Sequence, residues 1–210
     1  MNKLGDLSCN EFLTELASAP PAPGGGGGAA MAGALAAALA SMVANLTIGK
    51  EKFADREPEV KELLEQAEAE RLRLLTLVDE DAAVFNSFMS CYKLPKTTDE
   101  EKAARTAAIR AAAKQAATVP LNIARSSFAV LKLADRLVVS GNPGVITDGA
   151  CSGLLARAAL RCAEYNVRIN LGLTKDEAWN AQAAADLKQL LADAEALETR
   201  LLAVTDKALQ

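Results

Sequence analysis

Apolar side chains recur at alternating intervals of four and three from Val60: Leu64, Ala67, Leu74, Val78, Phe85, Phe88 and Tyr92 follow, interrupted by Arg71 and Asp81. That spacing returns to one face of an α-helix at every turn. Glu57-Pro58 places a proline in the first turn and Leu94-Pro95 breaks the pattern, so one long helix is predicted from Glu57 to about Tyr92. Other helix ends are marked as clearly. Ser8-Cys9-Asn10-Glu11 reads as a capping box opening a short helix to about Ala17, and Thr98-Asp99-Glu100-Glu101 as a second, opening a helix to about Thr118. Between the first two helices, Ala19 to Gly28 is rich in proline and glycine and reads as a loop. An alanine-rich helix then runs from about Ala29 to Ile48, with Gly49 as its stop. Pro120 is expected to begin a further helix closing near Ser140-Gly141. After a loop from Asn142 to Thr147 comes a helix to about Leu171, and Thr174-Lys175-Asp176-Glu177 caps a last one reaching the C-terminus. No period-two run of β-branched residues suggests a strand. The expected fold is all-α, a compact multi-helix domain over residues 1–210 with one long central helix.

Composition sharpens this picture. Half of the 210 residues are apolar, but aromatics make up only 4 % and alanine dominates, which favours closely packed helices. Residues Ala29 to Ala44 are mostly alanine, with polar Ser41 within them and Asn45 and Thr47 just beyond, a stretch expected to be shorter than the ~20 residues a membrane span requires. A net charge of −4 argues against a nucleic-acid partner. The chain contains no histidine, and its four cysteines (Cys9, Cys91, Cys151, Cys162) form no paired motif, so neither a metal site nor histidine catalysis is expected. Scattered thiols and the absence of an apolar leader behind Met1 point to the cytoplasm.

Two features carry candidate chemistry. The five glycines Gly24 to Gly28, leading into a helix, expose bare backbone where unpaired N–H groups gather; a flexible linker is the plainer alternative. In the long helix, a carboxylate at Asp81 lies between Val78 and Phe85 on the apolar stripe, where desolvation raises its pKa towards the range useful for proton transfer. Either an arginine from another helix satisfies it, or it faces a cavity. Arg71 stands too far along the same stripe to be its partner, at ~15 Å. Nucleotide-binding patterns do not fit, because Gly49-Lys50 is followed by Glu51 and no strand precedes the glycines. Gly33 with Ala37, and Ala36 with Ala40, set small residues one turn apart, suited either to a homodimer or to packing within the chain.

Several blocks in fixed order extend the argument. They are Pro-Ala-Pro-Gly-Gly-Gly-Gly before the alanine helix, Ser41 to Lys50, Val78 to Phe85, Leu94-Pro95-Lys96 and Glu100 to Arg105. Val119-Pro120-Leu121, Gly141-Asn142 with Asp148, and Asn166 to Leu171 complete the set. In this order the chain resembles the cyclodeaminase/cyclohydrolase family of folate enzymes over nearly its whole length. The resemblance implies an all-helical homodimer that binds a tetrahydrofolate derivative, without a further cofactor, in a cleft near the subunit interface. It implies Asp81 as the catalytic residue, and Gly24, Gly25, Gly26, Gly27, Lys50, Lys96, Asn142 and Asp148 around the substrate. Many members carry a serine where this chain has Gly27, so no side-chain contact is expected from that position. Of the family's reactions, hydrolysis of 5,10-methenyltetrahydrofolate to 10-formyltetrahydrofolate is favoured. The alternatives are a cyclodeaminase acting on 5-formimidoyltetrahydrofolate and a non-catalytic helical folate-binding or scaffold dimer.

Overall fold

The computed structural model describes residues 3–210. Six α-helices hold almost all of the chain: α1 Cys9–Leu16, α2 Gly24–Asn45, α3 Glu57–Cys91, α4 Asp99–Ser140, α5 Ile146–Thr174 and α6 Glu177–Ala208. No strand occurs among the described residues. Both predicted capping boxes form, with the Ser8 and Thr98 hydroxyls accepting from the Glu11 and Glu101 backbones and each glutamate reaching back. Asp176 caps α6 by accepting from the Trp179 N–H at 3.1 Å.

Antiparallel neighbours build the bundle. Ser41 donates to Glu68 and Gly33 abuts Leu74, which runs α2 against α3 in opposite directions. Ser152 donates to the Ala36 carbonyl at 2.7 Å, fixing α5 antiparallel on the other flank of α2. α4 closes the floor beneath them, where Ser127 faces Gly33. Helix α6 covers α4 and α5, held by Arg157–Glu198 and by Arg200, whose guanidinium pairs with the buried Asp135. Ala30, Ala36, Ala37 and Ala40 are fully buried, so the small-residue rows of α2 serve packing within the chain. At Gly33 a Cβ would meet Leu74 and the Ser127 hydroxyl at 3.0 Å, so a larger residue there would have to push both side chains aside.

Two expectations are corrected. The glycines are not a loop: α2 begins at Gly24, so all five form its first turns, and the helix reaches 22 residues rather than starting at Ala29. α2 holds an 18-residue stretch of mean hydropathy 1.7 and is long and apolar enough to cross a membrane, yet 61 % of that stretch is buried inside the structure. It is the central helix of a packed bundle. The second correction concerns Pro120, which does not start a helix but lies within the continuous 42-residue α4. A proline in a helix interior deprives the carbonyl four residues earlier of its donor. Here Asn170 on α5 donates its side-chain amide to the Ala116 carbonyl at 2.9 Å and supplies the missing bond.

Candidate active site

α2 occupies a groove between α3 and α5 and ends abruptly at Gly24, whereas α3 and α5 continue past it. The unfilled extension of that groove is a cleft of about 310 Å³. Its floor is Ala116 and Pro120 of α4. One wall is Asp81, Val84, Phe85 and Phe88 of α3, and the other is Asn166, Ile169, Asn170 and Leu173 of α5. An apolar cleft with a few polar groups is the usual form of a small-molecule site.

The first turn of α2 packs against two residues of the cleft wall, Gly26 against Asp81 and Gly25 against Asn166. Pro23 precedes the helix and offers no capping side chain. Gly27 is the first residue whose N–H is taken up, by the Pro23 carbonyl at 3.1 Å. The N–H groups of Gly24, Gly25 and Gly26 therefore lie at the uncapped, positive end of the helix dipole. Gly24 has φ +58°, a left-handed backbone that disfavours any side chain with a Cβ.

Asp81 stands against this turn. A Cβ on Gly26 would lie only 2.6 Å from the Asp81 carboxyl carbon, so glycine is required for the carboxylate to sit there. Burial pushes the Asp81 carboxyl up to about 6, opposed only in part by the backbone N–H of Gly27. Among the described residues no lysine or arginine forms an ion pair with it, which decides between the two readings left open by the sequence: Asp81 faces a cavity. Arg71, the other stripe-breaking residue, pairs with Glu68 at 2.8 Å, in part exposed to solvent. A carboxylate poised near neutrality in an apolar cleft can accept or deliver a proton at physiological pH.

The remaining expected site residues divide. Of Gly24, Gly25, Gly26 and Gly27, Gly26 stands against Asp81 and Gly25 close to the Asn166 amide (3.6 Å from a Cβ placed there), while Gly27 packs on Pro23 and Val78 and Gly24 meets no other side chain. Lys50, Asn142 and Asp148 do not join them within the chain: Lys50 and Asn142 lie at the C-terminal end of α2, a helix length of ~33 Å away, and Asp148 stands in the first turn of α5, ~27 Å along that helix from Asn166. Asn142 is occupied there, its backbone donating to Thr47 at 2.8 Å and its side chain to the Leu46 carbonyl at 3.1 Å. Lys96 is exposed in the α3–α4 connection, past the end of α3. Two cleft residues had no role in the sequence reading, Asn166 and Asn170. Their signal was a pair of poor helix formers spaced by four inside a helix. Among the described residues no cluster of three or more His, Cys, Asp or Glu is arranged to hold a metal ion.

Comparison with known proteins places the chain in a family. Residues 8–189 match the formiminotransferase-cyclodeaminase family, and the chain belongs to that family. It is 44 % identical over 197 residues to a methenyltetrahydrofolate cyclohydrolase of Methylorubrum extorquens, covering 94 % of this chain and 95 % of that protein. It is 34 % identical over 183 residues to the formimidoyltransferase-cyclodeaminase of Sus scrofa, covering 87 % of this chain but 34 % of that longer protein. The crystal structure of a formiminotetrahydrofolate cyclodeaminase from Thermotoga maritima superposes with a TM-score of 0.88 at 30 % identity, covering 98 % of both chains.

Proposed function

We infer that this chain is a methenyltetrahydrofolate cyclohydrolase, hydrolysing 5,10-methenyltetrahydrofolate to 10-formyltetrahydrofolate with Asp81 as its proton acceptor. The observation that carries the reading is the Asp81 carboxylate, unpaired and poised near pH 6 beside the uncapped turn of α2. The end-to-end likeness to the Methylorubrum cyclohydrolase supports it.

The methenyl bridge is a delocalised N5–C–N10 cation. Water attacks the bridge carbon, a C–O bond forms, and one water proton passes to Asp81, whose negative charge also attracts the cation. The C–N5 bond then breaks, N5 takes up one proton, and the oxygen becomes the formyl carbonyl on N10. Of the two water protons, one ends on N5 and the other leaves to solvent. The N–H groups of Gly24 to Gly26, unpaired at the start of α2 beside Asp81, are donors available to an oxygen that gains negative charge in the reaction. Phe85, Phe88, Ile169 and Leu173 flank the planar ring system, and a cleft of about 310 Å³ accommodates the reduced pterin and the bridge while the glutamate tail extends outward.

The likeness to cyclodeaminases favours a second reading, in which Asp81 protonates departing ammonia. The two differ in the sign of their pH dependence. As a base Asp81 must be ionised, so kcat/KM for the methenyl compound is expected to fall about tenfold per pH unit below 6 and to level off above it. A rate that instead falls as pH rises through 6 identifies the acid and favours ammonia release.

The outer face of α2 supports a homodimer. Leu35, Met42 and Leu46 are exposed there at 55, 37 and 38 %, and α2 carries no charged residue at all. We assign a second copy of the chain to this face, related by a two-fold axis. Antiparallel pairing of α2 with its copy sets the far end of one subunit, with Lys50, over the cleft of the other. Sedimentation is expected to give a dimer at micromolar concentration and a monomer for Leu35→Glu; a monomeric parent protein contradicts the pairing. The free cysteines, three of them exposed, suit a reducing cytoplasm.

A further inference from the structure

Asn170 lies at the meeting of two features that the reaction scheme leaves unused. Pro120 breaks the hydrogen-bond ladder of α4 at the cleft floor, and the Asn170 amide nitrogen repairs it, donating to the Ala116 carbonyl at 2.9 Å and to the Asn166 carbonyl at 2.8 Å. Both of its N–H bonds are thereby committed. Two carbonyl partners also settle which end of the amide is nitrogen, because a carbonyl accepts and cannot donate. The side-chain oxygen is left with no protein donor among the described residues. It is not among the buried polar atoms that lack a partner, so it keeps access to solvent, and Asn170 lines the cleft.

We propose that Asn170 is a specificity-determining residue, whose oxygen is locked by the Pro120 break as a hydrogen-bond acceptor for an N–H donor of the reduced pterin ring. The proline is integral to this arrangement. With an ordinary residue at position 120, Ala116 would be satisfied within α4 and the Asn170 amide would be free to turn over. The break in one helix thus dictates the polarity presented by its neighbour. A ring bearing an acceptor at that point meets oxygen against oxygen and is rejected, whereas a ring N–H is taken up. The ligand class rests on the folate reading given above.

The test separates the clamp from the recognition by a double-mutant cycle with Asn170→Leu and Pro120→Ala. Each of the four proteins is measured for thermal midpoint and for affinity towards 5-formyltetrahydrofolate, used as a stable reduced-folate probe. In the Pro120 background, Asn170→Leu is expected to lower both the midpoint and the affinity, the latter about tenfold for one oriented hydrogen bond. In the Pro120→Ala background, where the residue 120 N–H satisfies Ala116, the loss in midpoint is expected to disappear, while the affinity loss persists in reduced form, because an unlocked amide can still turn its oxygen to the ligand but must give up its other orientation to do so. If the affinity loss disappears together with the midpoint loss, Asn170 is a structural clamp alone and the proposal fails. If the parent protein binds no reduced folate, the functional reading fails and takes the assigned ligand with it, while the midpoint cycle still reports the clamp.

Discussion

Asp81→Asn is expected to lower turnover of 5,10-methenyltetrahydrofolate about 10³-fold, the scale of a lost general base, while making the protein more stable at alkaline pH. Asparagine keeps the shape of the side chain and removes its charge. The stability effect has a defined sign. Burial raises the Asp81 carboxyl from an ordinary 3.8 to about 6 in the folded chain, so holding it ionised costs free energy that the unfolded chain does not bear. A shift of that size corresponds to at most ~3 kcal/mol, and partial access to water reduces it to about 2 kcal/mol. The thermal midpoint of the variant should therefore exceed that of the parent at pH 8. The gain should shrink as pH falls through 6 and vanish below about 4, where the carboxyl is protonated in both states. Thermal scans at several pH values measure this directly. A variant that loses activity and stability together at pH 8 would indicate that Asp81 holds the fold, not the reaction.

The second large effect is expected at Gly26. Glycine to alanine inside a helix normally stabilises by ~0.5–1 kcal/mol. At Gly26 the added methyl group would lie 2.6 Å from the Asp81 carboxyl carbon, and either that side chain or the turn must move. Gly26→Ala should therefore destabilise by ~1–3 kcal/mol and lower kcat about 10²-fold, as expected for a catalytic group misplaced by about 1 Å. Gly28→Ala provides the contrast. Its methyl group meets only Leu16 at 3.8 Å, an ordinary contact, so activity should be kept and stability should rise. Loss of activity in both variants would point to a general need for flexible backbone and away from contact with Asp81.

The helical frame was legible because its signals are local. Ser8–Glu11 and Thr98–Glu101 specify their own helix starts through bonds closed within four residues. Asp81 was legible for a related reason: a carboxylate on an apolar stripe is either paired or functional, and the stripe is written in consecutive turns of one helix. The misreadings all depend on distant partners. Glycine's poor helix propensity made Gly24 to Gly28 look like a loop, whereas Asp81, 55 residues beyond Gly26, and the bed formed by α3 and α5 hold that stretch helical. Pro120 looked like a helix start because the donor that rescues Ala116 comes from Asn170, 54 residues away from that carbonyl. Lys50, Asn142 and Asp148, which the family resemblance sets around the substrate, are no such misreading: they stand apart from Asp81 within one chain, Asn142 bonded at the far end of α2 and Asp148 in the first turn of α5. No pattern in a single sequence reports the two-fold pairing that would reunite them.

The central claim is that Asp81 drives water onto the methenyl bridge, and the most direct measurement follows the absorbance of 5,10-methenyltetrahydrofolate with the parent protein and with Asp81→Asn at pH 7, in a buffer where spontaneous hydrolysis is slow. The account predicts rapid decay to 10-formyltetrahydrofolate with the parent protein and a rate near that of buffer alone with the variant. Equal decay by both proteins, or none by the parent while it releases ammonia from 5-formimidoyltetrahydrofolate, would contradict it.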